Sequence, residues 1–89
     1  MSSYFVYILK CSDDTLYTGI TTDLDRRIDE HNGLIKGKGA VYTQGRRPVQ
    51  LVYSQRSPDR STASIEESRI KKLSRSEKLI LISRNKNTL

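Results

Sequence analysis

Tyr4-Phe5-Val6-Tyr7-Ile8-Leu9 and Thr15-Leu16-Tyr17-Thr18-Gly19-Ile20, separated by the turn cluster Ser12-Asp13-Asp14, decide the fold of this chain. The first run is continuous in β-branched and aromatic residues, the composition of a strand covered on both faces. The second run has the same propensity, so residues 4–20 are expected to form a β-hairpin. The length of its turn decides where the two tyrosines lie. A two-residue turn at Asp13-Asp14 would pair Lys10 with Tyr17 and Tyr7 with Ile20. Because strand side chains alternate, Tyr7 and Tyr17 would then sit on opposite faces. An odd-length loop or a β-bulge is required to bring them onto one face.

Working outward, Thr22 or Asp23 can cap a helix running to about Asn32, with Gly33 as its C-terminal stop. At about 100° per residue, Leu24 and Ile28 define its inward stripe; Arg27 and His31 lie within about 60° of it, and Arg26 points away. Arg27 and His31 are four residues apart, so their heads can converge. Leu34 to Arg47 is glycine-rich and basic and reads as a loop with room for a short helix; it contains no phosphate-loop signature. Val49 to Ser54 is a third strand. A helix follows from Ser57-Pro58-Asp59 or Ser61 to about Ser74, with Ala63, Ile70 and Leu73 on its apolar stripe. Glu66 projects into that stripe and Glu67 onto its edge, and an inward carboxylate needs a partner or a metal. Ser74 or Ser76 can cap a last helix over Glu77 to Ser83, followed by a polar tail.

The 89 residues are enough for one domain, with a core over about 4–82 and a tail over 83–89. Apolar content of 35% and charged content of 29% exclude a disordered composition. No apolar run approaches the roughly 20 residues that span a bilayer, so no membrane association is expected. The N-terminus lacks the basic and apolar regions of a signal peptide. Cys11 is the only cysteine and His31 the only histidine, too few for a disulfide or a zinc site, and a reducing, cytoplasmic setting is expected. The net charge is +6, unevenly placed. Residues 1–45 carry five basic and six acidic groups, residues 46–89 eleven basic and four acidic. Such a basic half is the electrostatic footprint of a polyanion binder.

Phosphodiester hydrolysis needs an activated water, positive charge at the developing phosphorane and, usually, a divalent metal on a carboxylate. Tyr7, Tyr17, Arg27, His31 and either Glu66 or Glu67 could together supply those roles. Taken singly, the tyrosines are ordinary core aromatics, His31 an ordinary helix-end residue, and Arg27 a partner for Asp23, Glu30 or Glu67.

At these residues the chain resembles the GIY-YIG nuclease family, especially its small single-domain (UPF0213-like) branch. The first family tripeptide falls on Val6-Tyr7-Ile8 and the second on Tyr17-Thr18-Gly19. The stretch from Thr21 to Asn32 is similar to the first-helix signature, with Arg27 at the catalytic arginine. Gly37-Lys38-Gly39-Ala40, Tyr42-Thr43 and Arg46-Arg47-Pro48-Val49 match the middle motif, and Glu67 to Arg75 the second-helix signature. The resemblance covers Tyr4 to about Ile82. It implies an α+β fold, a three-stranded antiparallel sheet flanked by helices. It implies a metal-dependent DNA endonuclease with one Mg²⁺ or Mn²⁺ held mainly by Glu67, Arg27 on the scissile phosphate, and Tyr7 and Tyr17 orienting or deprotonating the attacking water. His31 would assist by phosphate contact or proton transfer. Lys38, Tyr42, Thr43, Arg46, Arg47, Lys71 and Lys72 are the expected nucleic-acid contacts, on DNA or RNA.

Three departures stand out: Val6 and Thr18 replace the commoner tripeptide residues, Ile20 and Thr21 stand where larger repair-type members carry a lysine, and the loop after His31 is long. With no second domain expected, specificity would come from branched, damaged or single-stranded DNA or from a protein partner, and a monomer is expected otherwise. The alternative is a nucleic-acid-binding module of the same fold with little catalysis.

Overall fold

The computed structural model describes residues 3–34 and 41–87, with backbone alone at 41, 42 and 85–87. Its elements in chain order are β1 (Tyr4–Lys10), β2 (Leu16–Thr21), α1 (Leu24–His31), α2 (Val41–Gln44), β3 (Gln50–Ser57), α3 (Arg60–Lys71) and α4 (Arg75–Asn87). The three strands form one antiparallel sheet in the order β2-β1-β3. β1 is therefore central, which is why Val6, Tyr7, Ile8 and Leu9 are all buried. Full burial of such side chains stabilises the fold by about 1.5–3 kcal/mol each.

The hairpin takes the odd register. Tyr7 pairs with Gly19 and Leu9 with Tyr17, so the two tyrosines share a face. The cause is a three-residue loop: the Cys11 N–H donates to the Thr15 carbonyl at 2.9 Å, leaving Ser12, Asp13 and Asp14 to turn the chain. Asp14 takes the left-handed conformation, φ 66°, which closes three-residue hairpin loops and which Asp tolerates better than most residues. The Asp13 carboxylate accepts from the Thr15 backbone and hydroxyl, at 3.2 and 2.6 Å, and pairs with Arg46 at 3.1 Å.

The sheet carries helices on both faces. One face packs Tyr7, Leu9, Cys11 and Val49 with Leu24 and Ile28 of α1. The other packs Val6, Ile8 and Tyr53 with Ala63, Ile70 and Ile82 of α3 and α4. A bulge at β1/β3, where Ile8 faces Tyr53 and Leu9 faces Leu51, turns Val52 and Tyr53 together toward this second layer. Asp23 caps α1 and Asp59 caps α3, their side chains accepting from Arg26 N–H at 3.1 Å and Thr62 N–H at 2.7 Å.

Three boundaries differ from the sequence expectation. β3 runs on to Ser57 rather than ending at Ser54, so Ser57 belongs to the strand and not to the start of α3. α3 stops at Lys71, because Ser74 begins a capping box for α4: its N–H donates to Glu77 at 2.8 Å and its hydroxyl accepts from the Glu77 N–H at 3.2 Å. α4 continues to Asn87 rather than ending near Ser83. Leu73, expected on the α3 stripe, falls in the turn between the helices. Among the described residues no helix is long and apolar enough to cross a membrane.

Candidate active site

The β1–β2 hairpin, α1 and α2 bring Tyr7, Tyr17, His31, Arg27 and Thr43 together. His31 ends α1 on its inward side and is completely buried. Its Nε2 lies 3.0 Å from the Tyr7 phenolic oxygen, and its Nδ1 lies 2.9 Å from the Thr43 hydroxyl. The Tyr17 ring meets the imidazole edge-on with centroids 5.0 Å apart, and the Tyr7 ring with centroids 6.0 Å apart. The tyrosine rings themselves are 6.4 Å apart.

Arg27 is the inward arginine, with its side chain 26% exposed against 63% for Arg26. Glu30, one turn along, takes its Nη1 at 2.9 Å and also pairs with Arg26 at 3.4 Å. Arg27 thereby holds the Glu30 carboxyl below the usual carboxylate range. The same guanidinium acts on the Tyr7 phenol and favours its ionised form. Glu30 thus aims the arginine, and Arg27 places positive charge at the phenol.

Burial dominates the ionisation of the cluster. It pushes the Tyr7 phenol up to about 12, against the pull of Arg27. It pulls His31 down to about 4, with the Arg27 charge acting in the same direction. Across the neutral range Tyr7 is a phenol and His31 a neutral imidazole.

Gly19 explains the glycine of the second tripeptide. It faces Tyr7 across the hairpin, and a β-carbon there would stand 2.5 Å from the phenolic oxygen. Any side chain at this position would displace the phenol from His31.

The two glutamates of α3 are distinguished by their partners, since their side chains are almost equally exposed, 23% for Glu66 and 21% for Glu67. Glu66 therefore lies no deeper than Glu67, contrary to the helical projection. Arg69 grips both Glu66 oxygens, at 2.9 and 2.6 Å, and the nearby phenol is that of Tyr53. Glu67 has a loose pair with Lys71 at 3.4 Å, and its charge is felt at Tyr7. That charge is the weakest of the influences on the Tyr7 phenol, behind burial, Arg27 and Tyr17.

The expected nucleic-acid contacts divide. Thr43 is fully buried against His31 and is no surface contact. Being enclosed, His31 also has no route to a phosphate; both ring nitrogens are already engaged inside the fold. Arg46 pairs with Asp13 of the hairpin loop, and its carbonyl accepts from the Ser12 N–H at 2.9 Å. Arg47 is exposed, but its Nε donates to the His31 carbonyl at 2.7 Å. Lys71 and Lys72 are exposed at the end of α3. Lys38, with the surrounding Gly37-Lys38-Gly39-Ala40, and the Tyr42 side chain lie outside the described residues.

Of the three partners the sequence offered Arg27, the structure gives Glu30, at i, i+3. Sequence reasoning missed Thr43 as the partner of His31, which nothing local marks.

Comparison with known proteins supports the fold. The model of the GIY-YIG catalytic domain matches residues 3–80. A UPF0213 protein of Desulfotalea psychrophila is 55% identical over 80 residues, covering 90% of this chain and 71% of that protein. One of Syntrophus aciditrophicus is 51% identical over 86 residues, covering 96% and 95%. Among solved structures, a UPF0213 protein from Bacillus halodurans superposes with a TM-score of 0.58 at 47% identity, covering 91% of this chain and 83% of that one. A protein from E. faecalis superposes with a TM-score of 0.62 at 36% identity, covering 94% and 90%.

Proposed function

The chain belongs to the GIY-YIG catalytic-domain family, and from that premise we propose that it is a metal-dependent endonuclease hydrolysing phosphodiester bonds in DNA. The observation that carries the reading is the Tyr7 phenol, which His31 Nε2 meets at 3.0 Å and on which the Arg27 charge acts against burial. A core tyrosine needs one hydrogen-bond partner. A buried neutral histidine on the phenol, with the Arg27 charge acting on that phenol, forms a proton-handling arrangement.

In this mechanism Arg27, aimed by Glu30, binds the scissile phosphate and stabilises the charge that grows on it. Tyr7 orients the attacking water and takes its proton as its own proton passes to His31 Nε2. His31 acts through Tyr7 and not on the phosphate. Tyr17, half-buried with its ring against His31, flanks the water and excludes competing solvent. Arg47 and Lys72 are available for the flanking phosphates, where they would position the strand without reading its sequence.

Glu67 would hold the divalent ion. Among the described residues no group of three or more His, Cys, Asp or Glu could cage a metal, and one carboxylate suits Mg²⁺ or Mn²⁺, which keep several waters and share the substrate phosphate. When bound, that ion supplies Lewis-acid stabilisation and a more acidic water.

The test is cleavage of plasmid, single-stranded and branched DNA and of RNA, with and without Mn²⁺, by the protein and by Arg27→Ala and Glu67→Ala. Metal-dependent cleavage, reduced at least about a hundredfold by each substitution, is expected. Cleavage that survives both would remove this site from the chemistry. Salt-sensitive binding without any cleavage would make the domain a nucleic-acid-binding module.

A further inference from the structure

α2 is only four residues long, yet it delivers a fully buried hydroxyl to the inside of the site. A buried hydroxyl is costly unless hydrogen-bonded, and Thr43 meets His31 Nδ1 at 2.9 Å. Its position is fixed from outside. The Arg46 N–H donates to the Thr43 carbonyl at 3.0 Å, the Arg46 carbonyl accepts from Ser12, and the Arg46 side chain pairs with Asp13. On the other side Arg47 grips the His31 carbonyl at 2.7 Å. The segment after α1 therefore holds the histidine by its backbone and by its ring.

A neutral imidazole carries one proton, and the partner of one nitrogen decides the state of the other. The positive charge of Arg27 acts on the Tyr7 oxygen, which turns its lone pairs toward that charge and leaves its own proton to give. The nearest acceptor is His31 Nε2, which can accept only if the imidazole proton is on Nδ1. We propose that Thr43 is a positioning residue: its hydroxyl accepts the Nδ1–H of His31 and so holds Nε2 bare to receive the Tyr7 proton.

The consequence for catalysis rests on the endonuclease reading above; the hydrogen-bond assignment does not. With the other tautomer, Nε2–H would point at Tyr7, and the phenol would have nowhere to send its proton. Thr43 touches neither water nor phosphate in this scheme and acts only through His31.

The chain has a single histidine, so its tautomer can be read without assignment from multiple-bond proton–nitrogen spectra of the ¹⁵N-labelled protein. At neutral pH the expected signature is Nδ1–H with a bare Nε2. Thr43→Val keeps the volume and removes the hydroxyl; it should shift the signature toward Nε2–H, and Thr43→Ser should restore it. In parallel, Thr43→Val should lower Mn²⁺-dependent cleavage by about tenfold to a hundredfold with DNA affinity unchanged, as loss of a partner behind a functional histidine does elsewhere. Wild-type protein showing Nε2–H would overturn the proposal, without recourse to any variant. So would an unchanged tautomer in folded Thr43→Val. The expected tautomer response with no cleavage by wild type would support the assignment and sink the endonuclease reading instead.

Discussion

Gly19 and His31 carry the site at the scale of single residues. Replacing Gly19 by Ala would put a methyl where the Tyr7 phenol lies, and the phenol is the end of a packed ring that has little room to yield. Gly19→Ala is expected to destabilise the protein by about 1–3 kcal/mol in urea unfolding, the usual cost of overpacking, and to separate Tyr7 from His31. His31 makes a pH prediction. In the unfolded chain its ring takes up a proton near 6.5; in the fold it resists until about 4. Between those values the unfolded state binds more protons, so this contribution to stability is intact above pH 6.5 and lost progressively as the pH falls to 4. The loss is about 3 kcal/mol in all. An NMR titration of the ring tests it directly: a midpoint near 6.5 would mean that the ring is not enclosed. Glu66 and Glu67 show what single residues conceal. Both flank the α3 stripe, and only their partners, Arg69 for one and Lys71 with the Tyr7 field for the other, separate them.

At the scale of elements, the hairpin loop and the end of α1 decide the geometry. The three-residue loop puts Tyr7 and Tyr17 on one face, where a two-residue turn would have divided them. The end of α1 is pinned by Asn32, whose side-chain amide donates to the Val49 carbonyl at 3.2 Å and accepts the Val49 N–H at 2.6 Å. This one side chain ties the helix that carries Arg27 and His31 to the segment leading into β3. Asn32→Ala removes both bonds and leaves a backbone pair without its partner. A cost of about 1–3 kcal/mol is expected in denaturant unfolding, together with a weakened Tyr7–His31 hydrogen bond. Gly33 follows with φ 80°, where the guanidinium of Arg47 lies so close that a β-carbon would stand 2.6 Å from it. The helix stop and the arginine that holds His31 are therefore one feature.

Across the whole molecule, the excess positive charge and the proposed catalytic cluster occupy different parts of the chain. Tyr7, Tyr17, Arg27 and His31 come from the first half, while the excess of positive charge belongs to residues 46–89, with eleven basic groups against four acidic. If that half grips the phosphate backbone, affinity for duplex DNA should fall steeply between about 50 and 200 mM salt, with a log–log slope near −0.9 per neutralised phosphate. Replacing Lys71 and Lys72 together by alanine should flatten that slope by about one for each phosphate these lysines neutralise. Fluorescence anisotropy across the salt series checks it, and an unchanged slope would take the end of α3 out of the interface. α3, which carries Glu67, packs on the sheet face opposite α1, and the Glu67 charge is the weakest of the influences on the Tyr7 phenol.

The strands, helix caps and inward faces were legible in the sequence, because each depends on periodicity and on residues within a turn or two of one another. Asp23, Asp59, Ser74, and the contrast between Arg26 and Arg27, all follow from such local rules. The demand for an odd loop was also legible, but not its fulfilment: Asp14 in the left-handed region and the Cys11–Thr15 closure are choices of the folded hairpin. Only tertiary structure decided that Tyr7 meets His31 and that Thr43 lies behind the imidazole. Those pairings join residues 12 and 24 positions apart, Thr43 with His31 and His31 with Tyr7. Local pattern sets which face of an element is buried; how the buried faces are brought into register is set by turns, bulges and packing across the sheet.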